Sequence, residues 1–329
     1  MFGTLIDKLR RRQDLSVTEA AEVMEEIMAG TAAPAQVAGL LVALSMKGER
    51  PSELVGLATT MRANARKLSK SYDALFDTCG TGGDGASTFN VSSLTALVLA
   101  GCGVQVAKHG NRAVSSRCGS ADLFTALGVS VDAEPAIVER CLDDCGIAFL
   151  FAPTFHPSMR HAAQVRRDLG IRTVFNLLGP LTNPAGVRRQ LVGVPRADLT
   201  DLVARALGEL GAERTWVVHG ADGLDGLGAR VHRDQLGLHD IHDGDLFVHG
   251  AADQREQIAM GDQPQEVTEV VLHRDVSDVL PLHHAGGKID EVVGPDREEV
   301  RRHHLPDGQE AVPACLHLAG VARWPLVHG

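Results

Sequence analysis

Apolar positions in the first 70 residues recur at helical spacing and form no alternating run. Ser16 and Glu19 are placed as a capping box ahead of Ala20, Met24, Ile27 and Met28, and Gly30 supplies a stop. Pro34 opens a second helix whose stripe is Val37, Leu40, Leu41 and Leu44, ending near Gly48. Ser52 begins a third with Leu54, Ala58, Met61 and Ala65. Helices without strands cannot join a sheet, so residues 1–70 are expected to form a small separate helical domain. From residue 74 the pattern changes, and short apolar runs alternate with helical stretches. Ala74 to Phe76 reads as a strand and Leu94 to Ala100 as a helix, and a short strand starts at Val104. Ser120 caps a helix through Leu127, and Pro135 opens another with Ile137, Val138, Cys141 and Leu142. Ile147 to Ala152 is a continuous apolar run, expected of a strand buried on both faces. His156 to Leu169 reads as helix and Arg172 to Leu178 as strand. Asp198 then caps a helix stopped by Gly211, and Thr215 to Val218 is a further strand. Repeated units of this kind predict a mostly parallel α/β sheet domain over residues 71–226.

Composition changes this picture little. A chain of 329 residues exceeds one small core, and 44% hydrophobic with 22% charged residues is ordinary for a globular protein. A net charge of −10 opposes a general role on nucleic acid or an anionic membrane. No apolar run approaches the ~18 residues that span a bilayer. Met1 to Gln13 lacks the apolar core of a signal peptide. The six cysteines contain no CxxC and suggest no disulfide framework, so a reducing cytoplasm is expected.

The chemistry concentrates in two loops. Asp77 to Ser93 reads DTCGTGGDGASTFNVSS, with glycine at 80, 82, 83 and 85 ahead of a helix opened by Asn90, Ser92 and Ser93. Glycines let backbone N–H groups curl around an anion, and a helix start adds free donors and its positive dipole end. The loop matches neither GxxxxGK[ST] nor GxGxxG, and a glycine-rich turn also serves as an ordinary strand-to-helix connection. Val104 to Ser120, VQVAKHGNRAVSSRCGS, then runs a strand into Lys108, His109, Asn111, Arg112, Ser115 and Ser116. One right-handed βαβ unit would bring both loops to the same carboxyl edge of a parallel sheet. That edge would suit a ligand with several phosphates.

GTGGDG, NVSS and KHGNRAVSS, in this order and spacing, resemble the anthranilate phosphoribosyltransferases. The stretch FHPSMRHAAQVRRDLGIRTVFNLLGPLTNP, Phe155 to Pro184, matches that family almost without a break. The resemblance covers about residues 15–225. It implies transfer of a phosphoribosyl group from phosphoribosyl pyrophosphate to the amine of anthranilate, in tryptophan biosynthesis. The donor would be bound by Gly80, Gly83, Asp84, Thr88, Asn90, Val91, Ser92, Ser93, Lys108, His109, Gly110, Asn111, Arg112, Ala113, Val114, Ser115, Ser116 and Ser120. Gly80, Asn111, His156 and Arg166 would meet anthranilate, the arginine taking its carboxylate. Gly179-Pro180 would end a strand at the ligand edge. Mg²⁺ would bind Ser92 and Asp225, and the helical domain would form a homodimer interface. The reaction needs no covalent nucleophile or strong base, because an aromatic amine keeps its lone pair at neutral pH. Electrostatic preorganisation and proximity suffice.

The resemblance fails at one point. Where the family has an Asp-Glu pair, this chain has Asp225 followed by Gly226, and a hard cation that loses a carboxylate ligand is held less well. No family motif follows, twelve of the fifteen histidines lie at 219 or later, and Lys288 is the only lysine there. Residues 227–329 are therefore expected to be foreign to the family, through a reading-frame shift or a joined fragment, with a divergent native tail as the alternative. Other functional readings are a pyrimidine nucleoside phosphorylase, a single-strand nucleic-acid-binding paralogue, or an inactive form of the transferase.

Overall fold

The computed structural model describes residues 1–82, 90–113, 118–220, 238–242 and 245–249. Four helices open the chain: α1 (Phe2–Arg10), α2 (Val17–Ala29), α3 (Pro34–Lys47) and α4 (Pro51–Ala63). The capping box is formed, with Glu19 N donating to Ser16 Oγ at 3.2 Å and Ser16 N to Glu19 Oε2 at 2.8 Å. Glu53 is wholly buried and accepts from the amides of Leu15 and Arg50, each at 2.9 Å, and from Lys47 Nζ at 3.1 Å. That one carboxylate ties the entry to α2, the end of α3 and the start of α4 together.

The sheet is built from β1 (Phe76–Gly80), β2 (Val106–Gly110), β3 (Ile147–Phe151), β4 (Arg189–Gly193), β5 (Arg214–Val218), β6 (Leu238–His242) and β7 (Asp245–His249). Their order is β3-β2-β1-β4-β5-β6-β7; the first five run parallel and the last two pair antiparallel. All five residues of β3 are buried, as its unbroken apolar run requires. Around the sheet lie α5 (Val91–Gly101), α6 (Ser120–Ala126), α7 (Pro135–Cys145), α8 (Ala152–Phe155), α9 (Arg160–Leu169), α10 (Val174–Leu181) and α11 (Asp198–Glu209). The helical bundle does not bury its faces alone. Leu40, Leu44, Leu57 and Met61 share one core with Leu177, Leu178, Leu181, Val203 and Leu207. Arg62 stitches the same junction, its Nε donating to Leu181 O at 2.6 Å and its Nη1 to Leu210 O at 3.0 Å.

A helical N-terminal block with a mostly parallel α/β sheet is thus present, and three local readings change. Arg172 to Leu178 is not a strand: Val174–Leu181 is helix α10, started by Thr173 N donating to Asn176 Oδ1 at 3.0 Å. The run misleads because α10 is buried on nearly every side, and a helix without a polar face has the apolar continuity of a buried strand. Gly179-Pro180 consequently lies in the last turn of a helix rather than at a strand end. Strand β4 and helix α1 are additional elements.

Candidate functional site

Strands β1, β2 and β3 step outward in one direction, and the chain then returns to place β4 on the other side of β1. Loops leaving β1 and β4 therefore diverge, and an open α/β sheet binds ligands outside its carboxyl edge at such a point. Gly80 ends β1 exposed at that edge, and Thr81 N donates to Gly193 O at 2.9 Å. Asn90 caps the start of α5 and reaches across to the second loop, its Nδ2 donating to Gly119 O at 3.2 Å. Thr78 Oγ1 donates to Ser92 O at 2.7 Å, anchoring the first turn of α5 to β1. Ser93 Oγ is buried with no hydrogen-bond partner among the described residues.

The second loop leaves β2 at Gly110 and returns at Ser120. Asn111 N donates to Ser120 Oγ at 3.2 Å, and Ala121 N to Asn111 O at 3.1 Å. Asp122 closes the loop at both ends: its Oδ2 accepts from Ala113 N at 3.0 Å and Gly119 N at 2.9 Å, and its Oδ1 from Arg112 Nη1 at 3.2 Å. Those amides first, and then the guanidinium, hold the Asp122 carboxyl below the usual carboxylate range. Arg112 also lies over the Phe151 ring, 5.6 Å from its centroid. Only glycine fits at two positions here. A Cβ on Gly110 would sit 2.2 Å from Ser120 Oγ, and one on Gly119 would sit 2.3 Å from Ala113 N.

Beneath the loops is a buried polar floor. Lys108 is 2% exposed, and its Nζ donates to His109 O at 3.1 Å. Asp77 is completely buried and accepts from His109 N at 3.2 Å and Asn183 Nδ2 at 2.8 Å. Burial raises the Asp77 pKa, opposed by the Lys108 charge and these hydrogen bonds. His109 Nδ1 lies 3.1 Å from Gly179 O and His156 Nε2 lies 3.0 Å from Thr182 O. A carbonyl can only accept, so each of those ring nitrogens carries the proton. Burial pushes the His109 pKa down to about 3, helped by neighbouring His156, and lowers His156 as well. The two rings are 5.4 Å apart and neutral at pH 7. His109 Nε2 is buried and unpartnered among the described residues.

Arg166 comes from α9, with its guanidinium over the Phe175 ring 5.1 Å from the centroid. Burial lowers its pKa, and it makes no ion pair with an acid among the described residues. Phe175 lies in the first turn of α10, whose N-cap Thr173 keeps a buried, unpartnered Oγ1. Arg172 Nη1 donates to Gly82 O, joining this helix start to the β1 loop. A partly buried cation beside a helix N-terminus is a setting for an anion.

The structure therefore brings Gly80, Asn90, Val91, Ser92, Ser93, Lys108, His109, Gly110, Asn111, Arg112, Ala113 and Ser120 to one edge of the sheet. His156 lies beneath that edge, its ring against His109. Gly83, Asp84, Thr88, Val114, Ser115, Ser116 and Asp225 lie outside the described residues. Sequence reasoning gave no role to Asp77, Asn183 or Asp122, although the first two lie inside the quoted stretches and Asp122 lies two residues beyond one. No group of three His, Cys, Asp or Glu among the described residues could hold a metal. Ser92 and Asp225 are both oxygen donors and suit Mg²⁺, which keeps several waters and shares substrate phosphates. No helix among the described residues is long and apolar enough to cross a membrane.

Residues 72–239 match the model of the glycosyl transferase family a/b domain, and residues 4–65 match that family's helical bundle domain. Anthranilate phosphoribosyltransferase of Moorella thermoacetica is 59% identical over 225 residues, which are 68% of this chain and 66% of that protein. The same-named protein of Myxococcus xanthus is 56% identical over 220 residues, 67% of this chain and 65% of its own. The chain thus spans slightly less than two thirds of the length of these curated relatives. Among solved structures, anthranilate phosphoribosyltransferase from Thermus thermophilus superposes with a TM-score of 0.67 at 46% identity, covering 80% of this chain and 76% of that one. The enzyme from Saccharomyces cerevisiae in complex with PRPP and Mg gives a TM-score of 0.67 at 28% identity, covering 75% and 72%.

Proposed function

This chain belongs to the glycosyl transferase family with a helical bundle and an a/b domain, and from that premise we propose that it transfers phosphoribosyl from phosphoribosyl pyrophosphate to the amine of anthranilate. The products are N-(5-phosphoribosyl)anthranilate and pyrophosphate, a step of tryptophan biosynthesis in the cytoplasm. The observation that carries the reading is the junction of the two loops, where Asn90 of the glycine-rich turn bonds Gly119 of the KHGN loop at 3.2 Å. Joined in this way, the two loops and the start of α5 meet at the sheet edge where a leaving pyrophosphate would gather charge. Gly80, Gly83, Asp84, Thr88, Asn90 to Ser93, Lys108 to Ser116 and Ser120 hold the donor. Gly80, Asn111 and His156 flank the acceptor, and Arg166 takes its carboxylate.

Preorganised donors that meet charge as it develops lower the barrier without a covalent intermediate. Mg²⁺, held by Ser92 and Asp225 when bound, would neutralise pyrophosphate charge. The helical bundle forms the homodimer contact. A second reading, a form that binds donor but turns over slowly, is favoured by Gly226 in place of the second carboxylate. Purified protein mixed with phosphoribosyl pyrophosphate, anthranilate and excess Mg²⁺ is expected to form phosphoribosylanthranilate, followed by mass. Phosphate-dependent cleavage of thymidine, or a salt-sensitive shift of single-stranded DNA, without that product would overturn the assignment.

A further inference from the structure

The loop leaving β2 is drawn shut at two levels. Asn111 meets Ser120 and Ala121 through backbone and hydroxyl groups. Farther along, Ala113 and Gly119 are joined through Asp122, whose Oδ2 accepts both amides, at 3.0 and 2.9 Å. The bond to Gly119 is an ordinary helix cap, because Gly119 is the residue before α6 and Asp122 lies in its first turn. The bond to Ala113 is not, since it reaches back nine residues along the chain and satisfies no helix donor. Gly119 is also held through its carbonyl, which accepts from Asn90 Nδ2 at 3.2 Å. Asp122 is thereby linked, through Gly119, to the start of α5. Its Oδ1 accepts from Arg112 Nη1 at 3.2 Å, but those side chains are 32% and 55% exposed, and an ion pair so open to water contributes little. The two amides on the carboxylate are charge-assisted bonds and form the stronger tie.

We propose that Asp122 is a positioning residue for the phosphoribosyl donor: by gathering the amides of Ala113 and Gly119 on one oxygen, it fixes the loop that carries Asn111, Arg112 and Ala113 and the junction of that loop with α5. This rests on the loop being part of the donor site. Both carboxylate oxygens of Asp122 are engaged within the chain, so its effect on the donor passes through the backbone it holds. A loop fixed before the donor arrives need not be ordered on binding, and that saving appears as affinity.

The test compares the full chain as wild type, Asp122→Ala and Asp122→Asn. Asparagine keeps an oxygen for both amides and gives up the ion pair with Arg112, whereas alanine removes all three bonds. In hydrogen–deuterium exchange of the donor-free protein, peptides carrying Ala113 and Gly119 should exchange faster in Asp122→Ala and return toward wild type in Asp122→Asn. By titration calorimetry with phosphoribosyl pyrophosphate and Mg²⁺, the Kd of Asp122→Ala should rise at least about tenfold, the size of one charge-assisted contact. Asp122→Asn should recover most of that loss. In steady-state kinetics the donor KM should rise more than the anthranilate KM, because Arg166 stands on α9 and Asn111 keeps its bonds to Ser120 and Ala121. An unchanged donor Kd in Asp122→Ala, an asparagine variant no better than alanine, or equal rises in the two KM values would overturn the positioning role. Should Asp122→Ala fail to fold, Asp122→Glu, which keeps the charge but displaces it by a methylene, takes its place with the same expected results. Absence of donor binding by wild type would instead refute the donor site, while the exchange comparison would still decide whether Asp122 holds the loop.

Discussion

Arg166 stands over Phe175 without an acidic partner among the described residues. A half-buried guanidinium costs desolvation that a planar carboxylate can repay through two parallel hydrogen bonds. Arg166→Ala should therefore raise the acceptor KM by roughly 10- to 100-fold, the range of a charge-assisted contact, and leave the donor KM nearly unchanged. Arg166→Lys should restore only part of that loss, and equal loss for both substrates in steady-state kinetics would mark the arginine as structural. Arg166 was legible because its helix sits inside a long family-like stretch. Asp122 was not. A short acid in a loop reads as turn chemistry, and its work as a clamp appears only when Ala113 and Gly119 close on it in space.

At the scale of elements, β2 and the turn after α8 are each tied to the end of α10 by a histidine. His109 holds Gly179 O in the last turn of α10, and His156 holds Thr182 O just beyond it. The folded pKa of His109 is about 3, below the ordinary histidine value near 6.5, so the unfolded chain binds more protons between those limits. Its contribution is complete above about pH 6.5 and is lost as pH falls, by up to ~1.4 kcal/mol per unit. His156 acts in the same direction, while Asp77, raised by burial, opposes them at the acid end. Stability from urea unfolding should fall between pH 7 and 5, and His109→Asn, which keeps a donor for Gly179 O, should flatten that slope. An unaltered slope in the variant would contradict the account. The same elements explain what the sequence concealed. Helix α10 lacks a polar face, so its period is hidden, and β4 is too short, with too few apolar residues, to stand out. Strand β3 was legible because burial on both faces leaves an unbroken apolar run.

In the whole molecule, the bundle and the α/β sheet domain share a core, and Arg62 caps the ends of α10 and α11 from α4. Arg62→Met would leave two carbonyls unsatisfied and should cost roughly 1–3 kcal/mol in urea unfolding; no loss would remove the arginine from the junction. The helical block and the alternating units were readable from periodicity, whereas their fusion was not, because apolar faces carry no label for their partners. The match to the family model ends at residue 239, past Asp225-Gly226, where the resemblance implies a second carboxylate and this chain has glycine. The central claim is that the donor lies across the two loops at the switch point of the sheet. Hydrogen–deuterium exchange of the full chain, with and without phosphoribosyl pyrophosphate and Mg²⁺, tests it most directly. The expected result is slowed exchange in peptides carrying Gly80 to Gly82, Asn90 to Ser93 and Gly110 to Asp122, with α1 to α3 unchanged. Protection confined to other segments, or none at saturating donor, would contradict it.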